Sequence, residues 1–187
     1  PLTGENRYWV LHGLKMLSQN KQSFSFQCLA RNAGKENKKV WRATDIGFGI
    51  APQLNALGRL ADPKQAIKFL VSSDIDAITN ISSILKEINQ KRKEIENQVF
   101  ASVDIMIKTG KINLESERVI FAASSDWPAG VIGLVAGKLT ASYGRPCFLF
   151  HITVDGIAKG SARSIFGSDL FKILTEHGVI LKTFGGH

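Results

Sequence analysis

Val119-Ile120-Phe121-Ala122-Ala123 and Cys147-Phe148-Leu149-Phe150-His151-Ile152 are two short runs of β-branched, aromatic and aliphatic residues, and residues 131–142 between them read as a helix. Further strands at residues 157–161 and 179–184 and a helix at 168–175 continue the alternation, which predicts a compact α/β unit. Between the first strand and its helix lies Asp126-Trp127-Pro128-Ala129-Gly130-Val131-Ile132-Gly133, a loop that presents a helix N-terminus, an arrangement suited to anions. Trp127 in that loop fits either of two roles, a plate on which a base stacks or a structural plug beside proline.

The most polar stretch of this unit is Gly156-Ile157-Ala158-Lys159-Gly160-Ser161-Ala162-Arg163-Ser164. Two hydroxyls, a guanidinium and an ammonium supply donors for an anionic oxygen, and glycines let backbone N–H groups come close to it. That is a composition for handling phosphate. The competing reading is a polar strand edge followed by a turn. Gly185-Gly186-His187 at the other end of the unit belongs with the same candidate site.

Upstream, residues 76–108 form the longest periodic segment, with Ile78, Ile81, Leu85, Ile88, Ile95, Val99, Val103 and Met106 stepping mostly by three or four. A helix of that length, about 50 Å at about 1.5 Å per residue, exceeds the width of a small domain and predicts a connector between two. A coiled-coil arm is the alternative, and the stripe breaks at Arg92. Thr109-Gly110-Lys111 closes the helix, so the expected division is residues 1–73, a connecting helix over 74–109, and the α/β unit over 110–187.

The first part reads as helical. Residues 5–18 carry Tyr8, Val10, Leu11, Leu14 and Leu17 at near-helical spacing after Thr3 as N-cap, and residues 24–33 form a second helix burying Phe24, Phe26, Cys28 and Leu29. The lysine-rich 35–39 reads as a solvated loop. Gly47 and Gly49 lack the third glycine of a dinucleotide loop. Pro52 opens a helix on which Asn55 and Arg59, four apart, share a face where an amide and a guanidinium can converge on one oxyanion. A capping Asn with a surface Arg is the plainer reading. A further helix from Asp62-Pro63 to Val71 is expected to turn Ala66, Ile67, Leu70 and Val71 inward.

At 187 residues and 44% hydrophobic content the chain can bury a core as one large domain or two small ones. No apolar run approaches the roughly 18 residues of a membrane span, and no secretory signal opens the chain. It begins at Pro1 and stops at His187, which suggests a piece of a longer protein. Cys28 and Cys147 sit far apart in apolar surroundings and read as reduced thiols of a cytoplasmic protein. The net charge of +8 favours a polyanionic partner. His12, His151 and His177 stand apart from one another and read as structural.

Three blocks together resemble the RecJ group of the DHH phosphoesterase superfamily, exonucleases specific for single-stranded DNA. They are Gly4-Glu5-Asn6-Arg7 with Gly13-Leu14; Ile50-Ala51-Pro52 through Asn55-Ala56-Leu57-Gly58-Arg59; and residues 127–139 with Gly160-Ser161-Ala162-Arg163-Ser164 and Gly185-Gly186-His187. The resemblance implies the end of a DHH domain, a connecting helix and a DHH-associated substrate-binding domain. It implies that Mn2+ or Mg2+ is bound by residues outside this chain, and no metal site or catalytic residue is expected within it. It assigns Arg59, Ser161 and Arg163 to the 5′-terminal phosphate of single-stranded DNA. Gly185, Gly186 and His187 would close the cleft toward the metal site and Asn55 would support it, with Lys159, Gly160, Ser164 and Trp127 completing the expected substrate-binding set. Where the family commonly has Trp-His-Pro-Gly, this chain has Trp127-Pro128-Ala129-Gly130 and so lacks that histidine.

The expected function is therefore the substrate-binding part of a metal-dependent 5′-to-3′ exonuclease of DNA repair and recombination. A single-strand-binding protein or a helicase is a possible partner that nothing in the sequence derives. Two other functions compete: a DHH-family phosphodiesterase for short oligonucleotides or cyclic dinucleotides, and a non-catalytic nucleic-acid-binding module.

Overall fold

The computed structural model describes residues 2–186. It divides into two compact units, residues 1–92 and 93–187, and the division falls inside one long helix.

The first unit is all helical: α1 (Gly4–Ser18), α2 (Phe24–Asn32), α3 (Ala43–Asp45), a π-helical turn (Ile46–Ile50), α4 (Ala51–Leu60), α5 (Lys64–Val71) and the first half of α6 (Ile75–Lys108). Ser23 caps α2 by accepting from the Phe26 N–H at 3.2 Å, and Asp74 accepts from the Asp76 and Ala77 N–H groups at the start of α6. The core is Cys28, Leu29, Trp41, Ile50, Leu57, Phe69, Ile78, Ile81 and Leu85.

Two expected faces differ from the observed ones. In α5 the inward residue is Phe69, fully buried with Ala66 partly buried beside it, while Ile67, Leu70 and Val71 are 64%, 50% and 75% exposed. Ala66, Ile67, Phe69, Leu70 and Val71 make a broad apolar face on this eight-residue helix, and within it the neighbouring elements decide which part is covered, which the largest side chain took. On α1 only Leu14 and Leu17 pack against the core; no residue of that helix is buried, and Tyr8 and Leu11 stay exposed.

The 35–39 loop is also more than solvated. Lys35 and Lys38 reach Asp45 at 3.0 and 3.3 Å, and the Asp45 carboxylate accepts from the Arg42 N–H at 3.0 Å. The Lys35 hydrogen bond, with those from Arg42 and Lys38, holds the Asp45 carboxyl down at about 2 from its ordinary 3.8. A carboxyl depressed by folding adds stability above its unfolded pKa and loses it as the pH falls through the folded one. The first unit is therefore expected to lose stability between about pH 4 and pH 2, and Asp45→Asn to flatten that slope, as followed by urea titrations at pH 5, 3.5 and 2.5.

The second unit holds the rest of α6, then β1 (Ile120–Ser124), α7 (Ala129–Tyr143), β2 (Cys147–Ile152), β3 (Ala158–Arg163) and α8 (Leu170–Glu176). β1 and β2 pair in parallel, with Ile120 opposite Cys147 and Ser124 opposite His151; β2 and β3 pair antiparallel, with Cys147 opposite Arg163 and Ile152 opposite Ala158. α7 is the crossover, and it lays Val131, Ile132, Val135, Ala136 and Leu139 against one sheet face, where Ile120, Ala122, Cys147 and Leu149 are buried. Gly144 ends α7 with φ +60°, a conformation that a side chain disfavours. Within this unit Lys138 pairs with Glu96 at 2.7 Å, while Lys108 and the Tyr143 hydroxyl both reach Asp104 and keep its carboxyl below the usual range, Lys108 most.

The expected strand over 179–184 is absent. Residues 178–180 form a single 3-10 turn, and Phe184 folds back on Phe171, ring centroids 5.9 Å apart. Val179 and Ile180 stand in solvent there, so neither face of an alternating strand is covered, and Phe184 packs on a ring instead.

Candidate nucleic-acid interface

Strand alternation decides which side chains of the polar stretch face α7. β3 residues paired with Cys147, Leu149 and His151 share their face, and these are Arg163, Ser161 and Lys159. Across the sheet this gives three rows: Ile120, Cys147 and Arg163; Ala122, Leu149 and Ser161; Ser124, His151 and Lys159. The other face carries Phe121, Phe148 and Phe150, with Gly160 against the Phe150 ring.

Glycines on α7 make room for the polar face. A methyl group at Gly133 would lie 2.7 Å from Ser161 Oγ and 3.6 Å from Arg163 Nη2, and one at Gly137 would lie 3.9 Å from Arg163 Cγ. Gly133 and Gly137, one helical turn apart, thus line a groove along which the Arg163 side chain runs up towards Ser161. These two glycines are site residues that motif reading missed. The signal that would have found them is the i, i+4 glycine pair inside an apolar helix, which costs helix propensity and so calls for a packing reason.

The chemistry gathered there is cationic and donor-rich. Arg163 spends one N–H on its neighbour's carbonyl, Ala162 O at 2.9 Å, and among the described residues no carboxylate pairs with it. A guanidinium fork beside a hydroxyl matches two oxygens of a phosphate. Lys159, exposed two residues back, has Asp155 as its charged neighbour in the hairpin turn. Beneath the groove, burial pushes the Cys147 thiol up to about 12, and both cysteines are free and buried.

The remaining candidates separate. Ser164 turns its hydroxyl to the carbonyls of Ile165 and Ser168, so it shapes the turn after β3. Trp127 is 5% exposed and fills the core as a plug, with no face offered to a base. Gly185 and Gly186 are exposed beyond the 3-10 turn, and His187 lies outside the described residues. Asn55 and Arg59 are both exposed on α4 of the first unit, as their four-residue spacing requires.

The segment before them carries an unexpected feature. Gln53, 2% exposed, donates its amide to Leu29 O and Gly49 O, both at 2.9 Å, and so ties α4 to α2 and to the π-helical turn. Such turns recur where a helix is re-aimed near a functional site.

Among the described residues no group of three or more His, Cys, Asp or Glu side chains converges as a metal site requires, and no helix is long and apolar enough to cross a membrane.

The model of the DHHA1 domain matches residues 116–187, which contain every candidate of the second unit. The whole chain is 32% identical to a segment of the single-stranded-DNA-specific exonuclease RecJ of Bacillus subtilis and 31% identical to that of Haemophilus influenzae. It spans 23% and 33% of those two proteins' lengths. Among solved structures, the crystal structure of RecJ from Thermus thermophilus in complex with Mg2+ superposes with a TM-score of 0.82 at 26% identity, covering all of this chain and 28% of that one. An exonuclease RecJ bound to manganese superposes with a TM-score of 0.72 at 25% identity, over all of this chain and 44% of that one. Residues 116–187 thus match the DHHA1 domain, within a chain that is similar along its whole length to a segment of the RecJ exonucleases.

Proposed function

We propose that this chain is the substrate-binding part of a metal-dependent 5′-to-3′ exonuclease acting on single-stranded DNA. The observation that carries the reading is the Gly133–Gly137 groove, which sets an arginine without a carboxylate partner beside a serine hydroxyl on one sheet face. The similar proteins are named for single-stranded DNA, and two solved relatives hold Mg2+ or manganese.

Arg163 and Ser161 grip the terminal 5′-phosphate, with Lys159 next along the strand that follows it and Gly160 giving the backbone close access. Asn55 and Arg59 of the first unit bind single-stranded DNA in their own right, and Gly185 and Gly186 belong to the substrate-binding set of the second unit, as does His187, which lies outside the described residues. Trp127 and Ser164 hold the surrounding backbone. The described residues do not fit a divalent ion. Mn2+ or Mg2+ would be held by residues outside this chain, where it would activate the water that cleaves the phosphodiester. What these side chains contribute is register: a strand held by its end can present only one phosphodiester to a fixed centre. In domain terms, residues 1–73 end a DHH domain, 74–109 connect, and 110–187 bind substrate. The setting is cytoplasmic DNA repair and recombination, where a single-strand-binding protein or helicase would supply the strand.

The test is fluorescence anisotropy of the chain with a short single strand bearing a 5′-phosphate or a 5′-hydroxyl, at low and moderate salt. Wild type is expected to prefer the phosphate about tenfold, and Arg163→Ala to abolish the preference. Equal, purely salt-sensitive binding of both probes overturns the end anchor and favours a short-substrate phosphodiesterase or a plain binding module.

A further inference from the structure

The third row across the sheet, Ser124, His151 and Lys159, is the one at the carboxyl ends of the parallel strands. His151 Nδ1 is buried there and has no hydrogen-bond partner, a state that costs free energy until a ligand or water satisfies it. His151 shares its sheet face with Leu149, which is fully buried, and with Ser161 on the neighbouring strand. Gly137 faces Arg163 and Gly133 faces Ser161, so the same progression brings the first turn of α7 over His151 and Lys159. Residues 129–136 contribute no ionisable side chain to that turn. The strand pairing sets Lys159 beside His151, with Asp155 near Lys159 in the hairpin turn, and Asp126 follows Ser124, the residue paired with His151 on its other side.

We propose that His151 and Lys159 form a second anion subsite, which takes the first internucleotide phosphodiester of a strand whose terminal phosphate is held by Ser161 and Arg163. The two rows are two residues apart, about 6.8 Å along β3 at about 3.4 Å per residue, close to one nucleotide step of an extended strand. An imidazole and an ammonium on adjacent strands offer one hydrogen bond each, which suits the two free oxygens of a diester. The inference rests on the end-anchor reading and extends it from one phosphate to two.

The experiment uses three fluorescent single strands: one with a 5′-phosphate, the same strand with a 5′-hydroxyl, and a 5′-phosphorylated strand whose first linkage is a neutral methylphosphonate. Wild type is expected to bind the methylphosphonate strand about tenfold more weakly than the unmodified one. His151→Ala should bind the unmodified strand about tenfold more weakly and show no further methylphosphonate penalty, while keeping its preference for the 5′-phosphate. His151→Asn, which keeps an N–H donor near the Nδ1 position, should recover most of the loss, whereas a merely structural histidine would not distinguish the linkages. Unfolding midpoints of the variants identify any that fail to fold, and the wild-type comparison of linkages stands without them. A wild type indifferent to the methylphosphonate overturns the subsite, as does a full penalty retained in His151→Ala. If the 5′-phosphate preference itself is absent, the anchor has failed; if it is present and depends on Arg163 but not on the first linkage, only the second subsite has failed.

Discussion

Phe69→Ala is expected to destabilise the first unit by about 3–5 kcal/mol, while Ile67→Ala, Leu70→Ala and Val71→Ala on the same helix stay within about 0.5 kcal/mol of wild type. Phe69 is fully buried among Leu29, Leu57 and Leu85, and truncation leaves a cavity that close-packed helices fill only in part. The other three side chains lie half or more in solvent and lose few contacts. Trp41, 4% exposed and edge-on to Phe26 at 5.0 Å, reports this unit by its fluorescence. Urea titrations in a Trp127→Phe background separate its transition from that of the second unit, because one midpoint for two units defines no single stability. A large loss at Ile67 or Val71 with a small one at Phe69 would reverse the assignment of the inward face.

The second large effect is on binding, with stability nearly untouched. Gly133→Leu is expected to abolish the 5′-phosphate preference and to lower affinity for the phosphorylated strand about a hundredfold, and Gly133→Ala about tenfold. Already a Cβ lies 2.7 Å from Ser161 Oγ, so the hydroxyl must rotate away, and a longer side chain fills the path of the guanidinium. Both displaced groups are the ends of side chains at a half-open groove, so the sheet need not move. Replacing a mid-helix glycine also favours the helix by up to about 1 kcal/mol, which offsets part of the crowding. The thermal midpoint should therefore hold while anisotropy collapses. Intact binding in Gly133→Leu would show that Ser161 and Arg163 do not meet the phosphate from this groove.

Legibility in the sequence followed the range of the interactions. β2 was readable at its observed bounds, and α6 within a residue, because hydrophobic period and cap residues act locally. The polar stretch of β3 was recognisable by its residue types, and the pairing of Ser161 with Arg163 on one face follows from strand alternation alone. What the sequence hid depends on residues distant in the chain. Asp45 gathers Lys35 and Lys38 from seven to ten residues away, so a lysine-rich loop that looks solvated is tied down. Phe69 won over Ile67 and Val71 through helices formed elsewhere. The π-helical turn at residues 46–50 has no period of its own, and the Gln53 amide that braces it is an ordinary polar residue until its carbonyl partners are known. Gly133 and Gly137 mattered only once β3 was laid against them.

The Cys147 thiol bears on what the groove can survive. The thiolate is the form that attacks peroxide, and a thiol whose pKa stands at about 12 supplies almost none of it near neutrality. Cys147 lies in the same sheet row as Arg163, where sulfenic or sulfinic acid would place a new polar group under the proposed anchor. Buried beneath α7, that sulfur is poorly oxidisable, so the floor of the groove keeps its charge pattern under oxidising conditions.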